Sequence, residues 1–331
     1  MPPNVSVIIV NYNGRHHLES CLTAVQQQDV PCEIVLVDNA SKDGSVAFVR
    51  QRFPKVRILE LDQNLGFAEG NNVGAQSATG RYLAFLNNDT CAVSSWIREL
   101  VNAIDKDPDI GCVASRIVYL HDPLIIDSAG DGLTRSGGAF KHGHGCASDQ
   151  MTQSREVFGA CGAAFLIRKD LFDILGGFDK DFFVSHEDVD LSYRARLLGY
   201  KCLYVPEAVV MHAGSSTLGR RSFGAVFHAQ RNLEWLYLKN TPWPLLVWTF
   251  PGHLFYVSVA AGYFCLTGLC RPFFSGKWAA LRGIRQAFQK RLIVQRSRKV
   301  TSRAIWTRME PWWFLRKFRE KKFDLNLGDS E

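Results

Sequence analysis

Between Asn240 and Arg271 the sequence holds no Lys, Arg, Asp or Glu. That absence excludes an ordinary solvated surface helix, whose outer face carries charge. Paired cysteines are lacking too. Cys21, Cys32, Cys91, Cys112, Cys146, Cys161, Cys202, Cys265 and Cys270 are odd in number and scattered, without zinc or redox spacing. This excludes a disulfide scaffold and fits free thiols in a reducing cytosol. No secretory signal is expected, because the apolar run Val5 to Val10 is too short and reads as a first strand. Internal repeats and low-complexity segments are missing, which sets aside solenoids and disordered arms.

What is present is globular: 331 residues, 47% hydrophobic and 21% charged, enough for one large domain or one domain with an appendage. The net charge of +7 is uneven, since Arg271 to Glu331 holds 16 Lys/Arg against 5 Asp/Glu while the remainder is net negative. A neutral apolar block followed by a basic tail points to a membrane surface bearing anionic lipid. Nucleic acid would leave the apolar block unexplained, and none is expected as a partner.

Upstream, apolar runs end abruptly in polar residues. "VSVIIVNYNG" precedes a segment of helical spacing, and "CEIVLVDNASKDGS" repeats the plan before a helix over "SVAFVRQRF". "VRILELDQNLGFAEGNNVGAQSA" reads as a third strand, a Gly/Asn-rich loop and a helix that Asn71 begins; "YLAFLNNDT" is the fourth strand with its polar end. Continuously apolar strands alternating with helices argue for a mostly parallel sheet covered on both faces. Ligands of such sheets bind outside the carboxyl ends of the strands, so Asn11, Asp38, Asn64 and Asn87 to Asp89 should share one rim. Turn chemistry alone would also explain each polar end. Arg116 to Gln150 reads as a long excursion or β-ribbon, Gly159 to Ala164 as a small-residue strand, and Lys201 to Thr217 as a strand pair ending at His212.

Six segments together, "SVIIVNYNG", "IVLVDNASKDGS", "NLGFAEGNNVG", "LNNDT", "FFVSHEDVDLSYRARLLGY" and "HAGSST", resemble in order a family 2 glycosyltransferase of the rhamnosyltransferase-like branch. The resemblance covers roughly two-thirds of the chain. It implies an α/β GT-A fold, a Rossmann-like mostly parallel sheet with helices on both faces, plus a C-terminal helical membrane-associated extension. The expected division is 1–234, nucleotide-sugar-binding and catalytic, and 235–331, apolar then basic and membrane-associating.

A sugar nucleotide's leaving diphosphate needs its developing charge neutralised, usually by a divalent ion. By the resemblance Asp89 and His212 hold that ion, Mg²⁺ or Mn²⁺. The family's usual Asp-x-Asp is here Asn87-Asn88-Asp89, so the first carboxylate is an amide able to bond ribose but poor at holding metal. Asp38 sits where the family's Asp meets the base ring, favouring uracil or thymine; capping the next helix is the alternative, a role Ser41 or Asp43 fills equally well. Asn11 and Asn13 are assigned to base or ribose, with loop capping as the alternative. Asn64, Gly66 and Asn71 are assigned to the donor through close backbone approach and a helix N-terminus that favours the diphosphate. Gly162 and Ala163 are expected beside the donor sugar. By the resemblance Asp188 is the base that takes the acceptor proton, with Glu187 assisting or binding acceptor; a first-turn acidic cluster complementing the helix dipole is the alternative. Asp190 is expected to pair with Arg194 at i,i+4. His142, His144 and His186 are left as surface or acceptor-side residues.

"PWPLLVWTFPGHLFYVSVAAGYFCLTGLC" is long enough to cross a bilayer but is broken by Pro251-Gly252, so a span, a re-entrant element and an interfacial pair all remain open. The tail "KWAALRGIRQAFQKRLIVQRSRK" has basic and apolar faces, and Trp312-Trp313 suit an interface. A basic appendage packed on the catalytic part or forming a homo-oligomer is the alternative. The expected enzyme is inverting and metal-dependent. It would move L-rhamnose from dTDP-rhamnose, or another dTDP- or UDP-sugar, to a lipid-linked or cell-surface saccharide on the cytoplasmic face of the inner membrane. A sugar-1-phosphate nucleotidyltransferase would need a Gly/Arg/Lys-rich phosphate loop where "NYNGRHH" stands. A non-catalytic nucleotide-sugar binding or scaffold protein would show no donor hydrolysis.

Overall fold

The computed structural model describes residues 4–214, 219 and 221–311; Ser215 to Thr217 of the "HAGSST" segment and Trp312-Trp313 lie outside them. The N-terminal half alternates as expected: β1 (Val5–Asn11), α1 (Arg15–Gln26), β2 (Cys32–Asp38), α2 (Ser45–Arg52), β3 (Arg57–Glu60), α3 (Gly66–Ser77) and β4 (Tyr82–Leu86). β5 (Thr90–Ala92), α4 (Trp96–Ile104) and β6 (Ile110–Tyr119) follow, and then the excursion with β7 (Ile126–Ser128), β8 (Asp131–Leu133) and β9 (Ala139–Lys141). β10 (Arg155–Val157), β11 (Ala164–Arg168), α5 (Lys169–Ile174), α6 (Glu187–Leu197) and β12 (Lys201–His212) complete the sheet region. Five helices end the described chain: α7 (Phe223–Asn240), α8 (Trp243–Leu266), α9 (Cys270–Arg282), α10 (Ile284–Ser297) and α11 (Ser302–Arg308).

The sheet runs β10-β12-β6-β11-β4-β1-β2-β3, with β5 added to β12 and β7 to β6. β1 is parallel to β2 and β4, β2 to β3, and β6 to β12, whereas β11 runs antiparallel to both of its neighbours. Every residue of β4 is buried, and β1 is buried except at Val10, as two covered faces require. The helices press close. A Cβ on Gly74 of α3 would stand 2.5 Å from Cγ2 of Ile8. Gly74→Ala is therefore expected to destabilise the chain by about 1–3 kcal/mol, read by thermal or denaturant unfolding.

The excursion carries a β8–β9 ribbon, as the sequence suggests. Elsewhere the structure corrects the reading. Lys201 to His212 forms one strand rather than a pair, with its register on β6 shifting between Val205 and Val209. Pro206, lacking an N–H, sits in that bulge and the chain rejoins the same partner. Gly159 to Ala163 is a loop, and β11 starts only at Ala164. Its amides are spent elsewhere, since Ala164 N–H reaches back to Cys161 O at 3.3 Å and Gly162 N–H goes to Asp188 at 2.7 Å. Asn71 lies in the second turn of α3, not at its start, and bonds Phe67 O at 2.9 Å. Cys265 and Cys270 are not scattered singly, because the turn between α8 and α9 sets their sulfurs 2.7 Å apart. The expected division at 234/235 falls inside α7, which packs on α6 on one side and on α9 and α10 on the other.

Candidate active site

The carboxyl ends of β1, β2 and β4 meet through one chain of side chains. Asn11 Nδ2 donates to Asp38 Oδ1 and to Ser41 Oγ, each at 3.1 Å, and Asn88 Nδ2 donates to Asn11 Oδ1 at 2.8 Å. Asp38 Oδ2 takes Ser41 N–H at 2.9 Å, so Asp38 closes a local turn. Capping of α2 falls to Asp43, whose carboxylate takes Ser45 N–H at 3.1 Å. Asn13 closes the outer loop, accepting Lys42 N–H at 2.8 Å. Asn64 and Gly66 join the same rim through Asn39, which accepts from Leu65 N–H at 2.8 Å and donates to Gly66 O at 3.0 Å. Several amides opening α3 are already engaged: Gly66 N–H by Asn64 at 2.9 Å and Ala68 N–H by Phe183 O at 3.1 Å. A diphosphate-holding role for that helix end therefore gains no support from these amides.

Past β4 the chain reaches Asp89, which is buried. β5 pairs antiparallel with β12 so that Thr90 stands opposite His212, and this sets His212 Nε2 3.4 Å from Asp89 Oδ1. The other ring nitrogen, Nδ1, lies 2.8 Å from Asp127 Oδ2. A carboxylate behind an imidazole fixes its orientation and leaves the far nitrogen facing the second carboxylate. Burial alone would lower the His212 pKa, but the hydrogen bonds to Asp127 and Asp89 and their charges outweigh it and raise it to about 9. Asp127 in turn takes Lys141 Nζ at 2.9 Å, and its backbone oxygen lies 2.9 Å from His144 Nδ1. Burial opposes ionisation of Asp127, yet Lys141, His144 and His212 hold its carboxyl well below the usual range.

Asp188 stands at the first turn of α6, its Oδ2 receiving Gly162 N–H at 2.7 Å. Ala163 O accepts Asn87 N–H at 2.9 Å, so the Gly162–Ala163 loop ties the acid pair to the polar end of β4. Glu187 is buried, with Oε2 free of any hydrogen-bond partner among the described residues, whereas Asp188 is half-buried. Burial, then the charge of Asp188, pushes the Glu187 pKa far up. Burial raises Asp188 as well, opposed by the N–H groups of Gly162 and Val189 and by the positive charge of Lys141. Glu187 is thus the more strongly raised of the pair, and Asp188 the more exposed. Asp190 is fully buried and occupied by Arg194 Nε at 2.8 Å, as the i,i+4 spacing predicts, and by Lys239 and Asn240.

Asn11, Asp38 and Asn88 are joined by hydrogen bonds, Asp89 and His212 face each other, and Lys141 is bonded to Asp127 while its charge acts on Asp188. Sequence reasoning missed Asp127, Asn39 and Lys141, and it left His144 on the surface, where the structure nearly buries it beside Asp127. Asp127 follows the apolar pair of "IIDSAG", a polar switch like those used elsewhere, though it lies within β7 and not at its end; Lys141 carries no such signal. His17 was also missed: its Nε2 is buried without a hydrogen-bond partner among the described residues, and burial, then His16, lowers its pKa, with Asp89 and His212 also acting on the ring.

Two groupings offer ligand atoms for a divalent ion. Asp89 and His212 form one; Asp131, Cys161 and Asp188, with ligand atoms within 4.8 Å of one another, form the other. Burial raises the Cys161 thiol far above its usual range, so it stays protonated and ill-suited to a hard cation. Carboxylate plus oriented imidazole fits Mg²⁺ or Mn²⁺ better. If so, Asp127→Asn should weaken metal affinity about 10–100-fold without unfolding the chain, read by Mn²⁺ titration.

Known proteins resemble this chain in sequence and in fold. A protein of Mycobacterium tuberculosis, N-acetylglucosaminyl-diphospho-decaprenol L-rhamnosyltransferase, is 29% identical over 246 residues, covering 65% of this chain and 77% of that protein. Glycosyltransferase AglE of Haloferax volcanii is 27% identical over 237 residues, covering 69% and 71%. Among solved structures, the mannosyltransferase PcManGT from Pyrobaculum calidifontis, in complex with GDP-Man and Mn²⁺, superposes with a TM-score of 0.56 at 20% identity, covering 85% and 88%. S. aureus TarS 1–349 does so with a TM-score of 0.56 at 16% identity, covering 89% of each chain. At those identities the likeness establishes the GT-A fold. The family described as Glycosyl transferase family 2 matches residues 6–176, more than half of the chain, and the chain belongs to it: this is a family 2 glycosyltransferase.

Proposed function

We propose that the enzyme moves a deoxyhexose, L-rhamnose from dTDP-rhamnose, onto a lipid-linked saccharide with inversion at the anomeric carbon. The observation that supports the mechanism is the Asp89–His212–Asp127 row, whose Asp127 takes Lys141 at 2.9 Å, a lysine whose charge also acts on Asp188. A divalent ion held by Asp89 and His212 would supply charge neutralisation to the departing diphosphate. Asp127 fixes the His212 ring. Asp38 retains free lone pairs on its carboxylate with which to accept a pyrimidine N3–H. Asn11, Asn13, Asn87 and Asn88 line the nucleoside end, and Gly162 and Ala163 bring bare backbone to the sugar. Asp188 takes the acceptor proton, and Glu187, keeping its own, leaves Asp188 as the single charged base.

The choice of rhamnose and of a lipid-linked acceptor draws on the mycobacterial relative's name, and the metal on the Mn²⁺ of the mannosyltransferase complex. Donor identity is tested by thermal stabilisation with dTDP-, UDP- and GDP-sugars. dTDP-rhamnose with Mn²⁺ is expected to raise Tm most, and the rise should vanish with EDTA. Equal stabilisation by GDP-sugars, or none lost on chelation, would overturn the reading.

We also propose the division 1–234 and 235–331, with the second part lying on the inner face of the membrane rather than crossing it. α8 is the one helix among the described residues long and apolar enough to span. One of its sides is already covered: Leu245, Leu246, Thr249 and His253 are buried, and His253 bonds Ser136 O at 2.8 Å and Glu234 at 3.0 Å. Its opposite side exposes Trp243, Val247, Trp248, Leu254 and Phe255, and α9 and α10 add Phe274, Trp278, Leu281 and Leu292. Arg271, Arg282, Arg285 and Arg296 of α9 and α10 are exposed too, and apolar with basic side chains on the same helices suit anionic headgroups. Trp248→Asp with Phe255→Asp should abolish co-flotation with phosphatidylglycerol vesicles while leaving soluble-donor binding intact. Undiminished flotation of that variant would count against the surface.

A further inference from the structure

We propose that Asn232 on α7 is a positioning residue for the acid pair, holding the turn from which α6 starts; this rests on the reading of Asp188 as base. The turn is held in an unfavourable backbone form. Phe183, Ser185 and His186 have φ of 62°, 73° and 68°, the left-handed region in which a Cβ crowds the backbone. Such a conformation persists only where its surroundings over-determine it.

One face of α7 supplies those surroundings. His228, Arg231, Asn232 and Trp235 recur at helical spacing and meet residues 181 to 185. The His228 ring stacks on Phe183 with centroids 5.3 Å apart, and Trp235 meets Phe182 edge-on at 6.3 Å. Arg231 Nη2 donates to the carbonyls of Asp181 and Phe182 at 2.8 and 2.9 Å. Asn232 is fully buried, and its Nδ2 lies 2.9, 2.9 and 2.7 Å from the carbonyl oxygens of Phe182, Val184 and Ser185. An amide nitrogen carries two hydrogens, so three inward-turned carbonyls share them. Removing that donor leaves buried oxygens facing one another with little to hold them.

The opposite side of the turn is closed by α3, where a Cβ on Gly66 would stand 2.6 Å from Phe183 O. Two residues after Ser185 the helix begins, and its first hydrogen bond runs from Asp190 N–H to His186 O at 2.9 Å. Rotation at Ser185 or His186 would swing the first turn, and with it Asp188, away from Gly162 N–H. Among the described residues the side-chain bonds of Asn232 run to Arg231 and to the turn, and none to Asn11, Asp38 or Asn88, so the effect is expected in the chemical step and not in donor binding.

The test measures kcat, KM and dTDP-rhamnose affinity in Mn²⁺ for wild type, Asn232→Ala, Asp188→Asn and Asn232→Ala with Ser185→Gly. Asn232→Ala is expected to lower kcat about 100-fold, the effect of an ångström-scale misplacement, with donor affinity within about two-fold. Glycine adopts the left-handed form freely, so Ser185→Gly should return most of the lost kcat, which repair of a merely structural defect elsewhere would not do. If Asn232→Ala gives no cooperative melt, Asn232→Ser, which keeps one donor hydrogen, takes its place. Wild-type kcat in the Asn232 variant, loss of donor affinity instead of kcat, or no rescue by Ser185→Gly overturns the proposal. Retained turnover in Asp188→Asn overturns the base assignment separately.

Discussion

Asp188→Asn is expected to lower turnover by about 10²–10⁴-fold, the usual contribution of a positioned general base, with donor affinity nearly unchanged. Asparagine keeps the size of the side chain and can still accept from Gly162 N–H, which the carboxylate meets at 2.7 Å. What it loses is the capacity to take a proton. Glu187 is expected to be a poor substitute, because burial and the charge of its neighbour push its pKa far up. In the variant that neighbouring charge is gone, so the Glu187 pKa should fall part of the way back. A small residual rate that rises with pH would follow. Single-turnover kinetics with saturating donor separates the chemical step from binding, and an unchanged rate would remove Asp188 from the mechanism.

The second large effect is expected at Asp89. Asp89→Ala removes the carboxylate that faces His212 Nε2 at 3.4 Å. The proposed ion would lose its anionic ligand, and several kcal/mol of transition-state stabilisation with it, or about 10³-fold in kcat/KM. Donor affinity should also lose its dependence on Mn²⁺. His212→Ala should follow in the same direction, since Asp127 positions its ring at 2.8 Å. A calorimetric titration of dTDP with and without Mn²⁺ reads this out. Affinity in Asp89→Ala that still responds to the ion would contradict the metal role.

Much of this arrangement was legible in the sequence because it follows from strand ends. A covered parallel sheet forces apolar strands, so the first polar residue after each one marks the rim. Asn11, Asp38 and Asn88 follow this rule, and they meet through hydrogen bonds of 2.8 and 3.1 Å. The acid pair stands at the start of a helix as the sequence suggests, but its assignment as acid and base came from the family resemblance. What stayed hidden depends on the long excursion. Asp127 and Lys141 come from β7 and the β8–β9 ribbon, short strands whose register no periodicity fixes. The bulge at Pro206 was hidden for a related reason, since a proline reads locally as a break while the ladder to β6 resumes beyond it. Asn71 was misplaced by a helix that starts earlier, at Gly66, where the positive φ of 82° demands glycine.

The C-terminal helices illustrate a limit of composition. Hydropathy cannot tell a helix covered on one side by protein from one surrounded by lipid. The hydrogen bonds of His253 to Ser136 and Glu234 distinguish them, because they tie the middle of α8 to the catalytic part. α9 and α10 pack on α7, whose Asn232 bonds the turn before α6, so the part expected to meet the membrane is joined to the candidate base through α7.

The most direct measurement is the anomalous signal of Mn²⁺ in crystals grown with dTDP. The account predicts one strong peak between the Asp89 carboxylate and His212 Nε2, bridged to the diphosphate and lost in Asp89→Ala. A peak among Asp131, Cys161 and Asp188 instead, with density for dTDP unconnected to Asp89, would contradict it.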